Sequence, residues 1–276
     1  MLTLFITEAA LGSILILPAV PVRAAGRLFF RFAAAQAATL IVLGLGLGWI
    51  TRSGAPWSRS LFVLAVLLLI GASGLFHLNR LRPGFLALVA SIPPALAAVV
   101  LDSWELIPLD SAGTGARLAW GGDAVSAGLV TGSVLISMVL GHYYLNIPGL
   151  SERYLERFAL ITMLAIGARA LVLSLNINAH GAVLLPLVRM LLDMPGGEVS
   201  SGPMWGTGPD PFLLVLVLIQ GLFGILVPLI FVFMAWRTAR IASTQSATGI
   251  LYVALIMVIM GELAGRYIVT LTRLPI

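Results

Sequence analysis

Eight apolar runs divide this chain, at approximately 2–20, 28–50, 60–79, 84–101, 124–146, 156–178, 212–236 and 247–269. Each is roughly 18–25 residues long, the length an α-helix needs to cross the hydrocarbon core of a bilayer. Nothing constrains the fold more, because inside lipid every backbone N–H and C=O must find its partner within the protein. Helices and closed barrels meet that demand, and a barrel would show short alternating segments instead. The sequence therefore predicts an all-α, polytopic integral membrane bundle of about eight transmembrane helices, a single transmembrane domain over residues 1–276. With 60% hydrophobic and 10% charged residues, the composition lies far outside the soluble range. The first eight residues lack a basic n-region and place Glu8 inside the first apolar run, so they read as a retained span rather than a cleaved signal.

Charge sets the expected orientation. The net charge of +5 comes from sixteen arginines and no lysine. Arg23 and Arg27, Arg80 and Arg82, Arg153 and Arg157, and Arg237 and Arg240 follow spans one, three, five and seven. The opposite connections hold Asp102, Glu105, Asp110, Asp123, Asp193, Glu198 and Asp210. The positive-inside rule then puts both termini outside, in what reads as a bacterial cytoplasmic (inner) membrane. Basic residues confined to short loops report topology and give no sign of nucleic-acid binding. The absence of cysteine excludes thiolate-ligated iron–sulfur clusters, covalently attached haem, disulfides and thiol catalysis within this chain.

Two outer connections are long. Residues 102–123 contain Trp104 and Trp120, which suit a membrane interface, and 179–211 start with an apolar stretch long enough for an interfacial or re-entrant helix. Both read as caps or partner surfaces. With no soluble module in the sequence, any redox centre beyond the bilayer would belong to another protein subunit.

Three sets of residues could carry chemistry. His77 and His142 lie near the same end of spans three and five, within about 5–8 Å of the inner interface at 1.5 Å per residue. Two imidazoles at one depth are the metal-ligand set of a b-type haem. Gly71, Gly74 and Gly141 would let a flat ring approach the backbones, and Arg80 or Arg82 could meet the propionates. Alternatively each histidine is an ordinary interfacial residue. Tyr143 and Tyr144, with His142, Asn79 and Asn146, could instead line a quinone slot or form an aromatic belt.

The third set is charged and lies within the spans: Glu8, Arg169, Gln220, Glu262 and Arg266. Helical rise puts Arg169 and Glu262 about 18 and 22 Å from the inner ends, and Arg266, at i+4 from Glu262, can approach it along one face. Such a set serves either as a fixed network that packs helices or as a path for protons or quinone. His180, at the outer end of span six, could add a proton acceptor or be a loop residue. Ser243–Gly249 would cap span eight or dock a partner.

The size, eight spans, outside termini and lack of soluble domains resemble the quinone-reactive membrane anchors of respiratory oxidoreductases. Polysulfide-reductase and dimethyl-sulfoxide-reductase anchors share this plan, and the cytochrome b anchors of [NiFe] hydrogenases share the role. The resemblance is one of plan and rests on no motif. It implies a non-catalytic or quinone-reactive subunit that passes electrons between a redox-cofactor-bearing partner and quinone in the lipid, through haem b in the haem-bearing case. The alternatives are a secondary transporter or channel using Glu8, Arg169 and Glu262, and a purely structural membrane subunit.

Overall fold

The computed structural model describes residues 1–51, 54–108, 113–146, 152–179 and 211–275, and these are helices joined by short turns, without a strand among them. Eight spans are long and apolar enough to cross a membrane, as the hydropathy runs predict. In chain order they are α1 (Leu2–Ile16, extended by a 3-10 turn to Ala19), a short α2 (Val22–Ala25) in the connection, α3 (Arg27–Thr51) and α4 (Pro56–His77). Next come α5 (Leu81–Ala90) with α6 (Ile92–Trp104), α7 (Thr114–Asn146) and α8 (Arg153–Ala179). Span seven is α9 (Pro211–Gly221), a π-turn (Leu222–Leu226) and α10 (Val227–Arg240), and the last is α11 (Thr244–Thr272). The protein is thus an integral membrane bundle with broad apolar faces left for lipid.

Two spans form the centre. α1 packs against α7, α3, α6 and α11, while α7 also packs against α8, α11 and α6. The α1–α7 approach is close because both faces are glycine: a Cβ added at Gly12 would strike the carbonyl of Gly128, and one at Gly132 would strike the backbone of Gly12 and Ser13. Gly128 and Gly132 are four apart on α7, the small-xxx-small spacing that brings membrane helices together. Gly132→Leu forces α1 off α7. Overpacking of this kind costs about 1–3 kcal/mol or more. A lower unfolding temperature in detergent, with Gly46→Leu unaffected because its Cβ would meet open space, checks this.

Proline shapes two spans. The fourth breaks at Ser91, just before Pro93 and Pro94 open α6. In the seventh, Pro228 lacks the N–H that would bond Gly224, and the backbone widens so that the Val227 N–H donates to Leu222 five residues back. There Gly224 lies against Gly261 of α11.

Helix α7 differs from expectation. It starts at Thr114 and absorbs half of the segment read as an outer connection. Residues 102–104 likewise belong to α6. The predicted cap over 102–123 is therefore mostly helix, and Asp123 stands about 14 Å inside α7 at 1.5 Å per residue. The 179–211 connection, with His180 and its apolar stretch, lies outside the described residues from 180 to 210.

Candidate functional site: a buried charge cluster

Five charged side chains from four spans meet inside the bundle: Glu8 of α1, Asp123 of α7, Arg169 of α8, and Glu262 and Arg266 of α11. Each is at most 3% exposed. They stand about 9–15 Å from the helix ends remote from the arginine-rich loops, given the helical rise. The α1–α7 glycine contact starts just below them, since a Cβ on Gly128 would strike the Glu8 carbonyl.

Arg169 is the hub. Its Nε and Nη2 donate to Oε1 and Oε2 of Glu262, both at 3.1 Å, a two-pronged pair that fixes the guanidinium plane. Its Nη1 donates to Oδ1 of Asp123 and, at 3.3 Å, to Oγ of Ser126. Arg266 completes the frame, with Nη1 donating to the second Asp123 oxygen at 2.8 Å and Nη2 lying 2.9 Å from Oε1 of Glu8. Asp123 is thus held by both arginines, one on each oxygen. Glu8 is held least: neither of its buried oxygens accepts a hydrogen bond among the described residues, and the Arg266 contact is one of charge alone.

Burial makes this arrangement costly. An isolated charge at the centre of a spanning helix costs about 2.5–3.5 kcal/mol on insertion scales. Ion pairing offsets that only where charges balance. Three carboxylates face two guanidiniums, leaving one negative charge without a countercharge in the cluster.

The structure confirms some expected neighbours and rearranges others. Glu8, Arg169, Glu262 and Arg266 do come together. Arg266, however, does not pair with Glu262 along α11 as the i+4 spacing suggests; it reaches across to Glu8 and Asp123. Gln220 is buried, but its Nε2 has no hydrogen-bond partner among the described residues, and no bond joins it to the cluster. Asp123 was not foreseen. Its neighbours Trp120, Gly121 and Gly122 look like interfacial loop, and the four residues that were foreseen already balance as two acids and two bases.

The histidines are not brought together. His77 ends α4, which packs on α3, α5 and α6, whereas His142 lies on α7, which packs mainly on α1, α8, α11 and α6 and only slightly on α3. Both are exposed on the bundle surface. The proposed ring slot fails on each side: Cβ atoms at Gly71 and Gly74 would meet open space, while Gly141 is filled by Thr248. These residues do not fit a haem held between two helices of one chain. Among the described residues no group of three or more His, Asp or Glu side chains is arranged to hold a metal ion.

The quinone slot around His142 is also dispersed, because consecutive helical residues point about 100° apart. His142 Nδ1 lies 3.4 Å from the Tyr252 hydroxyl of α11, the Tyr143 ring packs on Phe29 of α3, and buried Tyr144 meets the backbone of Leu155 at the start of α8. Arg80 and Arg82 are exposed beside Asn79, whose positive φ of 61° ends α4. Ser243 occupies the N-cap of α11, but its hydroxyl donates to Ser246 Oγ and not to the helix backbone.

A groove of about 380 Å³ opens at the arginine-rich end between Pro18, Val22, Phe85 and Arg157. Arg157 donates to the Ala19 carbonyl at 3.1 Å, satisfying a free acceptor at the end of span one. None of the cluster residues lines this groove. No protein family, curated protein or solved structure matches the chain.

Proposed function

We propose that the chain is a proton-translocating membrane protein, a channel or a secondary transporter, with the Glu8–Asp123–Arg169–Glu262–Arg266 cluster as its coupling centre. One observation carries this reading: a buried set of three carboxylates and two guanidiniums is one positive charge short. A cluster that only packed helices would be most stable balanced, since an unpaired buried charge is strongly destabilising. An odd carboxylate inside a membrane is what a group that takes up and releases a proton requires. The positive-inside rule supports both termini on the outer side of a bacterial cytoplasmic membrane, with the cluster in the outer half.

The test is reconstitution into liposomes containing a pH dye, with a potassium diffusion potential imposed through valinomycin. Protein-dependent proton entry that falls at least tenfold in Asp123→Asn supports the reading. Liposomes as tight as empty ones, at both polarities and across a panel of small solutes, contradict it.

A second reading, the membrane anchor of a respiratory oxidoreductase such as a hydrogenase or dehydrogenase, is favoured by a different observation. His142 and Tyr252 form a polar pair on the exposed surface of α7 and α11, one hydroxyl against one imidazole. Such a pair can donate to the carbonyl of a quinone arriving through lipid, and His142 could be one axial ligand of a haem shared with a partner subunit. Under this reading the chain purifies with a redox-cofactor-bearing subunit, and His142→Ala loses quinone reduction or the haem b bands of a reduced-minus-oxidised spectrum. A spectrum without haem bands and no redox partner after gentle purification exclude it.

A further inference from the structure

We infer that Glu8 is the residue that carries the exchangeable proton, while the other four charges form a fixed frame around it; this rests on the proton-translocating reading above. The frame is closed. Both oxygens of Glu262 are taken by Arg169, and both oxygens of Asp123 are taken, one by Arg169 and one by Arg266. Those two carboxylates balance the two guanidiniums. Glu8 is the remainder, 1% exposed and without a hydrogen bond to either oxygen.

The charged groups acting on Glu8 are Arg266 and Glu262 of α11, Asp123 of α7 and Arg169 of α8, with the Met1 amino group about two turns away along α1. No charged group of α3 or α6, which also pack on α1, is among them. Arg266 therefore stabilises the anion at close range while two fixed carboxylates oppose it, which suits a group that occupies both states. In the step itself a water-borne proton adds to a Glu8 oxygen and neutralises the cluster; loss of that O–H proton to water restores the carboxylate and its contact with Arg266 Nη2.

The deciding experiment is infrared difference spectroscopy of the full-length protein in nanodiscs, titrated with pH in light and heavy water. A buried carboxylic-acid C=O band that titrates, shifts in heavy water, vanishes in Glu8→Gln and moves in Glu8→Asp is expected. Loss of the band in Glu262→Gln or Asp123→Asn, with Glu8→Gln unchanged, overturns the assignment, as does a protein with no titrating carboxyl band. Size-exclusion profiles of the variants separate loss of the group from loss of fold. A Glu8 band in protein that leaves liposomes proton-tight keeps this inference and rejects translocation; proton entry that survives Glu8→Gln does the reverse.

Discussion

Arg169→Gln leaves Asp123 and Glu262 buried with half of their countercharge gone, and it is expected to be the most damaging single substitution in the spans. Arg169 makes both hydrogen bonds to Glu262 and one to the Asp123 carboxylate, and it is among the largest fully buried side chains. Removing one member of a buried pair costs about 3–5 kcal/mol, because the abandoned charge cannot return to water. Little of the variant should elute as a monodisperse peak from detergent. Arg169→Lys should recover only part of the yield, since an ammonium cannot reproduce the planar fork on Glu262. Equal yields for the wild type and Arg169→Gln would show that the cluster contributes nothing to the fold.

The second large effect is a contrast between two glutamates on one cluster. Glu262→Gln turns one accepting oxygen toward Arg169 into a donor and leaves both guanidiniums on a single fully held carboxylate, so it should cost about 3–5 kcal/mol. Glu8→Gln should be close to neutral in stability or slightly stabilising, because it removes the one uncovered charge and resembles the protonated state. The two changes are chemically identical, equally buried at 1% exposure and remove the same charge, so their difference isolates the hydrogen bonding that Arg169 gives Glu262 and Glu8 lacks. Unfolding temperatures in one detergent, at one pH, make the comparison. Equal losses for both would mean that Glu8 is as firmly paired as Glu262.

Much of the architecture was legible because hydropathy over a membrane thickness is a strong local signal, and all eight spans appear near their predicted places. Proline is a local signal of the same kind, and the breaks in spans four and seven fall at Pro93–Pro94 and Pro228. The site was half legible. Glu8, Arg169 and Glu262 stand out as charges in apolar runs, and their cost in lipid implies that they meet. Asp123 was hidden because α7 continues upstream through Trp120, Gly121 and Gly122, residues that resemble an interfacial turn when read alone. The partners of Arg266 are not legible because spacing along α11 reports only its own helix, while its ion pairs come from Glu8 of α1 and Asp123 of α7. For the histidines, matched depth was readable, but adjacency of α4 and α7 is a tertiary property with no local signature. Glycine was similarly ambiguous: Gly71 and Gly74 face open space, whereas Gly12, Gly128 and Gly132 let the two central helices touch and so bring Glu8 toward Asp123.

The account turns on whether one carboxylate in this cluster changes its charge while the protein stays folded. The direct measurement is the charge displaced by a pH jump on a solid-supported membrane, recorded for wild type and Glu8→Gln reconstituted at equal density. A transient displacement in the wild type that is absent in Glu8→Gln is the predicted result. Displacements of equal size in both proteins, or none in either, would contradict it.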